Sequence, residues 1–202
     1  DWCRAEGLSS LHLLFGDEAD LAACDAAGLM RREQVQFHWT NRPFASFDDF
    51  LASLTQDKRK KIRQERRRVA EAGVTFRVLR GKEITPADWQ FFYRCYERTY
   101  LEHGNPPYLT PAFFDAMART LPEPWVLFIA ERGGAPIASS LIATSAFPSS
   151  AAGRFDQETA AYGRYWGALE RVDSLHFEAC YYQPIDWCIR HGVARFEGGA
   201  QG

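Results

Sequence analysis

GRYWGALE (Gly163–Glu170), LHFEACYYQPIDWCIRHG (Leu175–Gly192) and FEGGAQG (Phe196–Gly202) close the chain, and their succession decides the fold. The first stretch reads as a strand over Ala161–Trp166. The second reads as a helix over Ser174–His191, and the third opens on a strand over Ala194–Glu197. This strand–helix–strand unit carries aromatic, acidic, histidine and glycine residues at its ends. An inert core has no need of that mixture, and strand ends are where α/β sheets place ligands.

Working outward, VTFRVL (Val74–Leu79) is a strand. Thr85-Pro86-Ala87-Asp88 opens a helix running to about Leu101. A turn-rich HGNPPY segment precedes a second helix from Thr110-Pro111 to Leu121. Trp125–Glu131 and Ala135–Ser145 flank Gly133-Gly134, a hairpin signal. From residue 74 the order is β-α-α-β-β-β-α-β.

Upstream, Ser9–Phe15 (SSLHLLF) is a short apolar strand candidate. Asp17–Ala27 is helical by composition and stops at Gly28, a C′ glycine. Val35, Phe37 and Trp39 alternate with polar residues, the period-two pattern of a half-buried strand. Ser46 caps a helix whose apolar stripe is Phe47, Phe50, Leu51 and Leu54. The run KRKKIRQERRR (Lys58–Arg68) then sets eight cations against one carboxylate, a local +7 that leaves −9 for the rest of a chain of formal charge −2. Only Ile62 and Val69 are apolar there, so this is a mostly exposed helix stopping at Gly73.

At 202 residues and 46% hydrophobic content the chain can bury a sizeable core. A net charge of −2 argues against a general polyanion binder. The five cysteines are scattered and odd in number, the pattern of free thiols in a reducing compartment. No apolar run has the roughly 20 residues that span a bilayer, and no signal peptide opens the chain. The expectation is a soluble, cytoplasmic protein. Both termini read as cuts, as in a piece of a longer protein.

The motifs QFHW (Gln36–Trp39), FDDFLASL (Phe47–Leu54), KRKKIRQER (Lys58–Arg66), GRYWG (Gly163–Gly167), LHFEACYYQ (Leu175–Gln183) and FEGGAQG (Phe196–Gly202) resemble a bacterial family of peptidoglycan biosynthesis/recognition proteins. These are GNAT-like N-acyltransferases related to the Fem-type peptidyltransferases. The resemblance implies an α+β fold with a mixed central sheet flanked by helices, in tandem GNAT-like modules of which the first is incomplete. Residues 1–45 would be the remnant of the first module, 46–73 a helical linker with a basic arm, and 74–202 a second module truncated at its C-terminus. It also implies transfer of an acyl or aminoacyl group from an activated carrier, acyl-CoA or aminoacyl-tRNA, to an amine in peptidoglycan or a related conjugate. The acceptor would be a small molecule or a muropeptide. The alternative is a non-catalytic module of the same fold that recognises cell-wall fragments or nucleic acid.

GNAT folds generally seat the donor pyrophosphate at the start of the helix after the splayed central strand, on a Q/R-x-x-G-x-G/A loop. Here that start reads Val172-Asp173-Ser174-Leu175-His176, and Asp173 would repel a phosphate. The departure leaves room for carriers other than acetyl-CoA.

N-acyl transfer needs a proton acceptor for the attacking amine and donors for the developing oxyanion. At 100° per residue Glu178 falls inside the helix's apolar arc, beside Ile185 and Ile189. A core-facing carboxylate is costly unless paired, and desolvation is one route to a proton acceptor. The alternative is a first-turn glutamate serving the helix dipole or pairing with an arginine. His176, on the other side of the helix near Cys180, is the second candidate base, against a surface or N-cap histidine. Tyr165 completes the catalytic set.

Arg164, Trp166 and Gln183 are candidates for positioning substrate, with Glu197 and Gln201 beyond the last strand and His38 on the polar face of an earlier one. Gly163 and Gly167 permit close approach of a ligand backbone, or mark a bulge. Lys58, Arg59, Lys61 and Arg63 are candidate phosphate contacts, to tRNA or a nucleotide-linked precursor, against a solvated arm. His176, Cys180, Cys188 and His191 do not make a metal site: the cysteines sit about 80° apart on the helix, with the histidines at opposite ends.

Overall fold

The computed structural model describes residues 2–14, 16–33, 35–145 and 156–199. The chain divides into two units, Asp1–Val35 and Gln36–Gly202.

The first unit holds two short helices, α1 (Trp2–Ala5) and α2 (Glu18–Ala26). Asp17 caps α2 through the N–H groups of Ala19 and Asp20, and the Asp20 side chain accepts from Asp17 N–H in return. Gly28 closes it at φ +71°, a value that favours glycine. The strand expected over Ser9–Phe15 is not formed. Residues 9–14 are irregular and exposed, no strand among the described residues pairs with them, and Phe15 lies outside the described residues.

In the second unit six strands form one sheet: β1 (His38–Thr40), β2 (Val74–Arg80), β3 (Trp125–Arg132), β4 (Ala135–Thr144), β5 (Asp156–Ala168) and β6 (Val193–Glu197). The spatial order is β1-β6-β5-β4-β3-β2. Every pair is antiparallel except β5 with β6. The β3–β4 turn has Gly133 at φ +60° and Gly134 at φ +80°, as a tight hairpin of two glycines requires.

β1 is shorter than the alternation over Val35–Trp39 suggests, and Val35 and Phe37 are exposed. Its ladder runs from Thr40 opposite Arg195 to His38 opposite Glu197. Phe37 would need a partner at Gly198, where β6 has already ended. Trp39, the residue that does lie in the ladder, packs edge-on against Phe50.

Helices cover both faces of this sheet, which is why β3 reads as an uninterrupted apolar run. On one face Val126, Phe128 and Ile142 pack against α3 (Phe47–Ala52) and α8 (Gln183–Arg190). On the other, Leu127, Ile129 and Leu141 meet the aromatic cluster of α5 (Pro86–Glu102) and α6 (Pro111–Thr120). Ser46, Thr85 and Thr110 cap α3, α5 and α6 as their sequences predict. The basic run forms α4 (Gln56–Glu71), with Val69 buried against Val74, Ala130 and Leu175.

The helix expected over Ser174–His191 is present but not uniform. It comprises α7 (Leu175–Phe177), a π-helical turn (Glu178–Tyr182) and α8. Pro184 has no N–H to give the Cys180 carbonyl, so the regular i→i−4 ladder fails there and the widened turn precedes it. The expected mixed α+β architecture, with the element order β-α-α-β-β-β-α-β from residue 74, is what the protein has.

Candidate functional site

β5 and β6 run parallel through Ala160–Arg195, Ala161–Phe196 and Tyr162–Glu197, and then part. β6 stops at Glu197 while β5 continues to Ala168. On its other edge β5 has a bulge: Tyr165 is opposite Leu141 and Gly163 opposite Ile142, leaving Arg164 without a partner on β4. A cleft of about 470 Å³ opens where the strands diverge. Arg164, Tyr165 and Trp166 of β5 line it, together with His176, Cys180 and Tyr181 from the helix that follows. Strict alternation would put Arg164 and Trp166 on one face and Tyr165 on the other. Tyr165 packs on the α5–α6 face and Trp166 on the other beside His176, and with Arg164 they border one opening in the sheet.

The cleft is shaped by backbone held close to backbone. A Cβ on Gly163 would lie 3.1 Å from the carbonyl of Gly198, and one on Gly167 would lie 1.9 Å from the carbonyl oxygen of Cys95 in α5. Thr99 donates to the Trp166 carbonyl at 2.8 Å, fixing the same contact. Gly198 is small because the Tyr181 ring occupies the space its Cβ would take, 2.8 Å away. The close approach the sequence reserves for a ligand backbone is therefore made, at Gly163 and Gly167, by the chain's own.

His176 stands at the lip among the rings of Trp166, Phe177 and Tyr181, with centroids 5.5, 5.6 and 5.9 Å away. His176 keeps its exposure to solvent there, and partial desolvation by these rings lowers its pKa from 6.5, so the imidazole is neutral at pH 7 and able to accept a proton. Tyr165 packs against Phe92, Tyr96 and Phe114. Burial, followed by the nearby Tyr96, raises its phenol pKa, keeping it a proton donor. Burial likewise pushes the Cys180 thiol up, so it is not a thiolate nucleophile at neutral pH.

Glu178 is buried as the helical arc predicts, but it does not line the cleft. Arg66 of α4 grips its carboxylate, with Nε 3.2 Å from both oxygens and Nη2 3.1 Å from Oε1. Gln183 Nε2 donates to Oε1 at 2.7 Å. Of the readings open to Glu178, pairing with an arginine is the arrangement found, and Gln183 belongs to that network. Beside it the Tyr182 hydroxyl donates to the buried carboxylate of Glu65. Asp173, expected to repel a phosphate at the helix start, is itself met by Arg68 at 3.2 Å.

His38 and Glu197 face each other across the β1–β6 ladder, 3.8 Å apart, with His38 Nε2 also 3.2 Å from Gln36 Oε1. Neither lines the cleft, although Glu197 adjoins Gly198, which does. Gln201 lies outside the described residues. Among the candidate phosphate contacts, Arg59 donates to the Ala52 carbonyl, Lys61 lies 3.9 Å from Glu65 and Arg63 3.5 Å from Asp48. Lys58 is exposed. Tyr181 was not singled out as a site residue by the sequence. Its place one helical turn after Phe177, with which it packs, is the signal that marks it. Among the described residues no group of three His, Cys, Asp or Glu side chains could hold a metal ion. No helix among them is long and apolar enough to cross a membrane.

The structure is similar to L-PGS from Bacillus licheniformis, with a TM-score of 0.52 at 13% identity over 91% of this chain and 58% of that one. It is also similar to the C-terminal domain (DUF2156) of a protein from Agrobacterium fabrum assigned as a lysylphosphatidylglycerol synthetase, with a TM-score of 0.49 at 14% identity over 92% of this chain and 61% of that one. At 13% identity the likeness to L-PGS is one of fold alone. The chain spans about three fifths of the length of these structures. No curated protein matches it. The sequence model of the FemAB-like family, described as peptidoglycan biosynthesis/recognition, matches residues 1–202, and the chain belongs to that family.

Proposed function

We propose that the chain is an N-acyltransferase module that moves an acyl or aminoacyl group from an activated carrier to an amine of peptidoglycan or a related conjugate. The observation that carries this reading is the parting of β5 from β6 after Tyr162, which leaves the described edge of β5 bordered by a cleft with a neutral histidine. An extended, amide-bearing arm can add to such an edge as a strand would, leaving its reactive carbonyl among Tyr165, Trp166 and His176.

His176 takes the role of base, because the carboxylate of Glu178 is engaged by Arg66 and Gln183 away from the cleft. The amine nitrogen attacks the acyl carbon while its proton passes to the imidazole. The bond from that carbon to the carrier's oxygen or sulfur breaks. The Tyr165 hydroxyl, kept protonated, donates to the developing oxyanion or the leaving atom. The exposed cations of α4, Lys58 and Lys60 among them, suit the phosphates of a tRNA-borne donor, with an affinity that falls with salt.

The test is to incubate the full chain with an amine-bearing muropeptide and either aminoacyl-tRNA or acetyl-CoA, and to follow the acceptor's mass. Transfer from one donor, reduced about 100-fold or more in His176→Gln with donor binding retained, supports the reading. Muropeptide binding without transfer from either donor overturns it in favour of a recognition module.

A further inference from the structure

The bulge that breaks the β4–β5 ladder adds one residue to β5, and that residue is Arg164. Arg164 borders the cleft, and its side chain is exposed there. The guanidinium lies over the Tyr162 ring at 5.3 Å and reaches the Gly163 carbonyl only at a long 3.4 Å. Among the described residues Arg164 makes no ion pair, whereas Arg66, Arg68 and Arg77 are each held by a carboxylate. Among the described residues no Asp or Glu lines the cleft, and His176 is neutral there, so Arg164 is the one formal charge of the described lining. A fork of donors stacked on a ring, beside an aromatic wall and with no acid to answer it, matches a planar or tetrahedral oxyanion.

We propose that Arg164 is an anion clamp, and that the cleft takes a ligand presenting a carboxylate or phosphate. This rests on the transferase reading of the same cleft and adds the charge class of what enters it. The oxyanion has two sources, a phosphate of the donor or a free carboxylate of the acceptor. The stacking also explains why the extra residue is arginine. Lysine offers a point charge without the planar fork.

Calorimetric titration of the full chain separates the sources. The probes are inorganic pyrophosphate and acetyl-CoA on one side, and the peptide Ala-Lys-Ala with a free carboxylate, beside its C-terminal amide, on the other. In one outcome Arg164→Ala weakens the phosphate probes by about 10- to 100-fold, placing the clamp on the donor. In the other it weakens the free peptide by as much, to the level of the amide, while leaving the amide unchanged, placing it on the acceptor. In either case Arg164→Lys recovers only part. Wild-type affinity left unchanged in Arg164→Ala overturns the clamp, and if acyl transfer persists the transferase reading stands without it. No binding of any probe by the wild type overturns the clamp as well.

Discussion

Arg66 and Glu178, 112 residues apart in sequence, form a bidentate pair that joins the middle of α4 to the first residue of the π-helical turn. The arginine also lies 4.4 Å over the Phe47 ring, so one side chain links α3, α4 and the helix that borders the cleft. The Glu178 side chain is only 5% exposed, so the pair is far from a surface salt bridge.

Removing one partner should therefore cost more than removing both. Arg66→Met leaves a buried carboxylate with Gln183 alone, and a loss of about 3–5 kcal/mol is expected in urea denaturation. The double substitution Arg66→Met with Glu178→Gln should recover much of it. A single-mutant loss under about 1 kcal/mol would mean the pair behaves like an exposed one.

The lowered pKa of His176 has a sign that activity can test. Folding disfavours the imidazolium, so the base stays neutral below the ordinary 6.5 and loses function only as pH falls through its depressed value. The rate of acyl transfer should hold at pH 6.5 and show its acid limb lower. In His176→Gln that limb should vanish along with most of the rate. An acid limb above 6.5 would assign the base elsewhere.

Gly167 tests whether the sheet can give way. Its Cβ would enter the Cys95 carbonyl, which is helix backbone rather than a side-chain end. Gly167→Ala should destabilise by about 3 kcal/mol, the upper part of the overpacking range. Gly163→Ala, which meets Gly198 at 3.1 Å, should cost less but narrow the cleft. Thermal melts of the two variants compare them directly, and equal melting temperatures would refute the ordering.

Thiol chemistry gives an independent check on burial. Cys95 is pushed up to about 11, with burial the main cause, and burial raises Cys180 and Cys188 as well. Cys95 and Cys188, which are buried, and Cys180, half-buried in the cleft with a raised pKa, should resist iodoacetamide at pH 8 in the native protein and react after denaturation, as read by peptide mass mapping. Rapid native alkylation of Cys180 would show the cleft to be wetter than its lining implies.

Much of the protein is legible in its residues. Capping side chains at Ser46, Thr85 and Thr110, the Gly133-Gly134 turn and the both-faces-apolar run of β3 are local signals, each set by backbone chemistry within a few positions. They fix the element order and hence the α+β fold. The strand expected over Ser9–Phe15 fails because apolar content alone cannot provide a partner strand. β1 is cut short because its ladder depends on where β6 ends, 160 residues away.

The site divides in the same way. The sequence by itself placed Arg164, Tyr165, Trp166 and His176 beside a strand end, and buried Glu178, because periodicity determines which way a side chain faces. Only the tertiary structure decided that Glu178 answers Arg66, that Asp173 answers Arg68, and that the parting of β5 and β6 opens a cleft bordered by three consecutive residues of β5. Those choices depend on which charges meet across more than a hundred residues of chain and on where two parallel strands stop pairing. Helical and strand periods carry no information about either.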